Sequence, residues 1–160
     1  MFVLARASTY SALFIGLLLI LLPSRVLSWA GVARPAALGP MEFAGIIVTA
    51  GGGVITLWCI FTFVFVGKGT PAPFDPPLKL VANGPYSFVR NSMYIGAGLA
   101  LGGAAIFYHS PALLGYTLFF LITMHLFVVL HEEPTLHRLF GAEYDAYRAR
   151  VHRWLLTSSA

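Results

Sequence analysis

Charge is what this chain has least of. Its 160 residues hold 10 lysines and arginines and 6 aspartates and glutamates, so 10% of positions are charged. A water-soluble domain carries about a quarter. Cysteine is nearly absent: Cys59 stands alone inside an apolar run, which excludes an intrachain disulfide and any CxxC metal site. Cys59 reads as a small core residue, and the redox compartment is not legible from it. No basic stripe with interleaved aromatics is present, so nucleic acid is not an expected partner. The net charge of +4 then reads as cations that flank membrane spans and set topology. Neither a nucleophilic triad nor a metal-ligand cluster is visible, and no metal is expected.

What is abundant is apolar sequence. Hydrophobic residues make up 58% of the chain, in runs long enough to cross a bilayer. The expected fold is an all-α, polytopic transmembrane helical bundle of about four spans, a single integral membrane domain over 1–160. The spans fall at about 10–29, 43–66, 92–108 and 112–131, with a polar loop over 67–91 and a tail over 132–160. The first run, with Arg6 before it and Gly31-Val32-Ala33 after it, also resembles a secretory signal; retention as a span is the favoured reading. Pro23 is expected to break it mildly, and Trp29 suits an interfacial anchor. The run 43–66 has 24 residues and no charge. Gly51-Gly52-Gly53 inside it reads as a packing face, because small residues let helices approach closely in lipid. The third span carries Gly96, Gly98, Gly102 and Gly103 for the same purpose or for close approach of a ligand. His125 is the polar outlier of the fourth span and is expected to hydrogen-bond to a neighbour.

Pro71, Pro73, Pro76 and Pro77 forbid a continuous helix in the first half of the long loop, and Asn83-Gly84-Pro85 is a turn signal. In the tail, Leu136, Phe140, Tyr144, Tyr147, Val151 and Trp154 recur at spacings of four, four, three, four and three, which is one helical face. Gly141 is expected to divide it into two short helices. The face predicts an interfacial amphipathic helix lying on the headgroups. Four spans put both termini, the long loop and the tail on one side. Arg6, Lys68, Lys79, Arg90, Arg138, Arg148, Arg150 and Arg153 fall there, against Arg25 and Arg34 opposite. Eight against two makes that side cytoplasmic.

Two polar edges meet on that side. Glu132-Glu133-Pro134 closes the fourth span, where ionisable groups are functional candidates by default. Placed at a helix C-terminus, the carboxylates run against the local dipole and require cations; Arg90, Arg150 and Arg153 are available. The other edge, 83–98, reads NGPYSFVRNSMYIGAG. Arg90 suits a carboxylate in two-point contact, Asn91 donates and accepts, Tyr94 offers a ring with a polar tip, and Gly96 and Gly98 leave room for a ligand. Such a set can bind a molecule with both a carboxylate and a positive group. A structural ion-pair cluster is the alternative.

GPYSFVRNSMYIG, followed after a helical hairpin by HEEPTLHRLFGAEYDAYRARVHRW, resembles the isoprenylcysteine carboxyl methyltransferase family of integral membrane methyltransferases. It is similar also to the related phospholipid methyltransferases. The family pattern is roughly GPYxxVR(H/N)PxYxG, then EExxLxxxFGxxYxxYxxxVxR, and the likeness covers 83–153, a little under half the chain. The resemblance implies S-adenosyl-L-methionine as methyl donor, S-adenosyl-L-homocysteine as product, and a lipophilic small-molecule or lipid-linked acceptor met at the membrane. Carried over by position, Arg90, Asn91, Tyr94, Gly96, Gly98, His131, Glu132 and Glu133 would hold the cofactor. Arg90, Glu133 and Arg153 would serve catalysis, and Tyr147 and Arg150 would meet the substrate. A sulfonium donor carries its own leaving group, so positioning, which can contribute about 7–11 kcal/mol, is the main requirement. Ser92 stands where the family has proline, which is expected to loosen the turn into the third span, and Trp154-Leu155 replaces a proline after the last arginine. A phospholipid amine or hydrophobic thiol as acceptor, or a non-catalytic membrane module with a degenerate site, are the alternatives. A transporter has only His125 in its favour.

Overall fold

Six helices and four short helical segments follow one another in the computed structural model, which describes Thr9, 13–67 and 78–156; no strand occurs among these residues. Arg6, Lys68 and the four loop prolines lie outside the described residues. A π-helical stretch, Ile15–Leu21, runs into α1, Leu22–Trp29. Next come α2, Pro40–Thr62, prolonged by a π turn Phe63–Gly67, and a 3-10 turn, Gly84–Ser87. Then follow α3, Ser92–Phe107, and α4, Pro111–Phe127. A π segment, Val128–Glu132, carries α4 into α5, Glu133–Phe140, and α6, Ala142–Arg150, closes the series.

Two continuous helices are long and apolar enough to cross a membrane, Pro40–Gly67 with 28 residues and Pro111–Phe140 with 30. At 1.5 Å per residue each exceeds the hydrocarbon thickness of about 30 Å. Ile15–Trp29 and Ser92–Phe107 are apolar but shorter. The sequence places the end of the fourth run at 131, yet the helix continues to Phe140. Pro134 does not stop it, because the wider π turn just upstream accommodates a residue with no N–H and a bulky ring. Pro23 follows its own π stretch in the same way, so the expected break is absent there. The chain turns instead at Gly141, with φ 48° and ψ −121°, a conformation open to glycine.

α2 and α3 approach each other backbone to backbone. The helices are antiparallel, and Gly45 of α2 faces the backbone of Gly103 and Phe107 while Gly52 faces that of Gly96 and Ala100. No side chain larger than hydrogen fits at these crossings, which explains why the small residues recur at two-turn intervals on both helices. Thr49 reinforces the contact, its Oγ1 donating to the Ala100 carbonyl at 3.3 Å. The tight turn at His109, φ 48°, then returns α4 against α3, where Ala97, Leu101 and Phe120 form one buried cluster with Phe14 and Leu18 packed on it. Tyr116 Oη donates to the Leu18 carbonyl at 2.8 Å and ties the N-terminal helix to α4.

The apolar face read along the tail turns inward. Tyr144, Tyr147 and Val151 are buried and pack with Leu136, Phe140, Leu80 and Ala82. The protein's own 80–82 segment therefore occupies that face, where the sequence alone suggests headgroups. Trp154 departs from the set: α6 ends at Arg150, and the indole packs on a different cluster.

Candidate active site

Three pieces of chain converge at one end of the bundle: the turn that enters α3, the junction of α4 with α5, and the non-helical segment after α6. The turn is fixed locally. Gly84, at φ 61°, and Pro85 start the 3-10 turn, and the Val89 amide closes on the Pro85 carbonyl at 3.3 Å. Ser92 Oγ lies 2.8 Å from the Pro85 carbonyl and 2.6 Å from that of Val89. The residue expected to loosen this turn thus fastens it. In Ser92→Ala the buried hydroxyl's contribution, about 1 kcal/mol, disappears. The thermal midpoint in detergent falls by about 3 °C; an unchanged midpoint would show that the helix start holds itself.

The α3 start then grips the tail through backbone groups. The Arg90 amide donates to the His152 carbonyl at 3.0 Å, and Asn91 Nδ2 donates to the Arg153 carbonyl at 3.1 Å. This brings two arginines onto one carboxylate. Arg153 donates from Nε to Glu133 Oε1 at 2.7 Å and from Nη2 to Oε2 at 2.8 Å, a two-point fork. Arg90 Nη1 donates to Glu133 Oε1 at 3.1 Å and to Tyr144 Oη at 3.0 Å. The side chains of Arg90 and Glu133 are only 12% and 15% exposed, and that of Arg153 is 35% exposed. The hydrogen bond to Glu133 raises the affinity of Arg153 for its proton further. Burial, and then the Glu133 charge, pushes the Tyr144 phenol above its ordinary range, so it stays protonated beside the ion pair.

Glu132 faces a different partner. Tyr94 Oη donates to its Oε2 at 3.1 Å, and no cation pairs with Glu132 among the described residues. Both glutamates lie within a continuous helix rather than at its end, so the expected conflict with a C-terminal dipole does not arise. The cations serve to neutralise Glu133 at its partly buried site.

The remaining candidates are distributed unevenly. Gly96 faces Gly52 and Thr56 of α2, and Gly98 faces Leu121 of α4, so helix packing accounts for both missing side chains. His131 is exposed and stacks on Phe127 at 5.8 Å between ring centres. Arg150 is exposed and its Nε turns back to the Ala146 carbonyl at 3.3 Å. Tyr147 is buried, with its hydroxyl donating to the Tyr86 carbonyl at 2.6 Å, which docks α6 on the 84–87 turn. Tyr144 escaped the reading as a site residue. Its signals are its place on the tail's apolar face and the first tyrosine of the FGxxYxxY pattern. His125 has the neighbour expected of it, as Trp154 Nε1 donates to its Nδ1 at 3.0 Å.

The donor set matches the ends of an amino-acid-bearing ligand. Two guanidiniums suit a carboxylate, and Arg90 Nε is buried with no partner among the described residues. Glu132 and Tyr94 suit an ammonium or a hydroxyl. Among curated proteins and among solved structures nothing matches the chain. A family model, described as Phospholipid methyltransferase, matches residues 41–143. The match runs from the start of α2 into α6 and takes in Arg90, Asn91, Tyr94, Glu132 and Glu133. With well over half of its length matched, and with the paired carboxylates and the α3 start inside the match, the chain belongs to the phospholipid methyltransferase family.

Proposed function

We propose that the chain is an S-adenosyl-L-methionine-dependent methyltransferase acting on a lipophilic acceptor at the membrane, of the isoprenylcysteine carboxyl methyltransferase type. The observation that carries this reading is Glu133 held by Arg90 and Arg153, beside a Tyr94–Glu132 pair with no cation of its own among the described residues. When bound, the donor supplies a methyl group on a sulfonium centre. Arg90 and Arg153 would take its carboxylate, and Arg90 Nε is a buried donor with no partner among the described residues. Glu132, its Oε2 already held by Tyr94, has Oε1 left for an ammonium or a ribose hydroxyl. Burial of this cluster strengthens each charged contact relative to water, and the fixed helices supply orientation.

An acceptor carboxylate would be oriented by Arg153. The family match favours a second acceptor, a phospholipid amine, whose proton Glu132 would take. The arrangement proposed in the membrane has four spans, the two shorter apolar helices crossing with the two long ones, and both termini in the cytoplasm. Single cysteines placed at Lys79 and Arg138 are then labelled by an impermeant thiol reagent from the cytoplasmic side, and one at Arg34 from the opposite side. The reverse pattern would overturn the topology.

Calorimetry with S-adenosyl-L-homocysteine tests the binding reading. Arg90→Ala removes a charged donor worth about 1.5–3 kcal/mol, so affinity falls at least about tenfold. Unchanged affinity with reduced turnover would move Arg90 to the acceptor side; unchanged affinity and turnover would remove it from the site.

A further inference from the structure

Trp154 joins two environments. Next to it, Arg153 lies on the ionic side of the site, forked onto Glu133. The indole itself packs on the apolar cluster that contains Tyr94, Met93, Tyr86 and Val128, with Met124 alongside. Tyr94 is the residue that holds Glu132, so the indole packs on the apolar cluster to which that tyrosine belongs. Its N–H is bonded to His125 Nδ1 at 3.0 Å, with the ring centres 5.8 Å apart. His125 is exposed on α4, a helix of mostly apolar surface, two turns before Glu132. Beyond the indole, Leu155 and Leu156 are 71% and 77% exposed.

The contacts of this strap differ in strength. Arg153 is fixed by a charged fork and through its carbonyl to Asn91. Trp154 is held by its apolar packing and by one hydrogen bond between uncharged rings, because Nδ1 accepts only when it carries no proton. Such a bond contributes far less than a charge-assisted pair. Residues 151–156 carry no helix that would stiffen them. Arg153 can therefore stay in place while Trp154 turns out.

We propose that Trp154 is the bilayer-side door of the acceptor site, latched by His125, and that the hydrophobic chain of a lipid acceptor takes the indole's seat on this apolar cluster. The inference rests on the methyltransferase reading. It makes His125 a positioning residue that acts through Trp154, and it assigns a use to the departure of Trp154-Leu155 from the family's proline.

The test uses the full chain in phosphatidylcholine vesicles with Trp29→Phe and Trp58→Phe, so that Trp154 is the sole tryptophan emitter. Brominated phosphatidylcholine serves as the bilayer quencher, and N-acetyl-S-farnesylcysteine and phosphatidylethanolamine as acceptor probes. With S-adenosyl-L-homocysteine bound, saturation by either probe raises quenching of Trp154 at least about twofold, since release from the latch exposes the ring to lipid. His125→Phe raises quenching without any probe and leaves the affinity for S-adenosyl-L-homocysteine within about twofold, because only one neutral hydrogen bond is lost. Intact binding of S-adenosyl-L-homocysteine with quenching unmoved by both probes and by His125→Phe would overturn the door. A parallel loss of that affinity in His125→Phe would also overturn it, making Trp154 packing support for the site. Failure of the wild-type chain to bind S-adenosyl-L-homocysteine would instead sink the methyltransferase reading, and the door with it.

Discussion

Glu133→Gln is expected to weaken S-adenosyl-L-homocysteine binding at least about thirtyfold, since two charge-assisted contacts are lost together. Glutamine keeps the shape of the side chain, but its amide nitrogen is a donor. Arg153 approaches one oxygen with Nε and the other with Nη2, and Arg90 approaches the first as well. Whichever way the amide turns, at least one guanidinium donor meets an N–H in place of an acceptor. The two arginines, 12% and 35% exposed, then repel one another with no carboxylate between them. The tail loosens from the α3 start, and limited proteolysis after Arg150 speeds up while the α2–α3 packing persists. Glu132→Gln is the matched control: Tyr94 can still donate to an amide oxygen, so the tail stays docked. Equal affinity in wild type and Glu133→Gln would remove this carboxylate from the binding site and leave it a structural ion pair.

The sequence disclosed the two edges of this site better than the path of the chain between them. Arg90, Asn91 and Tyr94 stand out because polar groups are rare near an apolar run, and Glu132-Glu133 stands out for the same reason. That Arg153 is the closest cation to Glu133 required the third dimension. The tail must turn at Gly141 and double back before the α3 start can hold its carbonyls at 152 and 153. The fourth run ends in the sequence where Glu132-Glu133 begins, which marks the edge of the apolar stretch and not the end of the helix. A π turn is set by backbone hydrogen bonding and leaves no residue signature of its own. Gly96 and Gly98 leave two readings open in the sequence. Spacing shows that a helix has a small face, but only the neighbouring helix shows whether backbone or ligand fills it. Ser92 illustrates a substitution that composition rates poorly and geometry explains, since its hydroxyl ties the turn a proline would stiffen.

The three consecutive glycines of α2 make the second large prediction, because only one of them is at the contact. A Cβ on Gly52 would lie 2.4 Å from the Ala100 nitrogen and 2.5 Å from the Gly96 oxygen, both backbone atoms, whereas Gly51 and Gly53 have nothing within 4 Å. Alanine at 51 or 53 is therefore neutral or stabilising by up to about 1 kcal/mol through helix propensity. Alanine at 52 cannot be relieved by a rotamer change, so α2 and α3 must part, at an overpacking cost of about 1–3 kcal/mol. The thermal midpoint in detergent falls by about 5 °C. The effect reaches the site because Gly96 and Tyr94 share the first turns of α3. A shift of that helix opens the 3.1 Å contact between Tyr94 and Glu132 and disturbs the Asn91 grip on the tail. Gly52→Ala should accordingly lose affinity for S-adenosyl-L-homocysteine along with stability, while Gly51→Ala loses neither. Identical behaviour of the two variants would show that the helices are not in contact at this crossing, and the placement of Tyr94 over Glu132 would then need another cause.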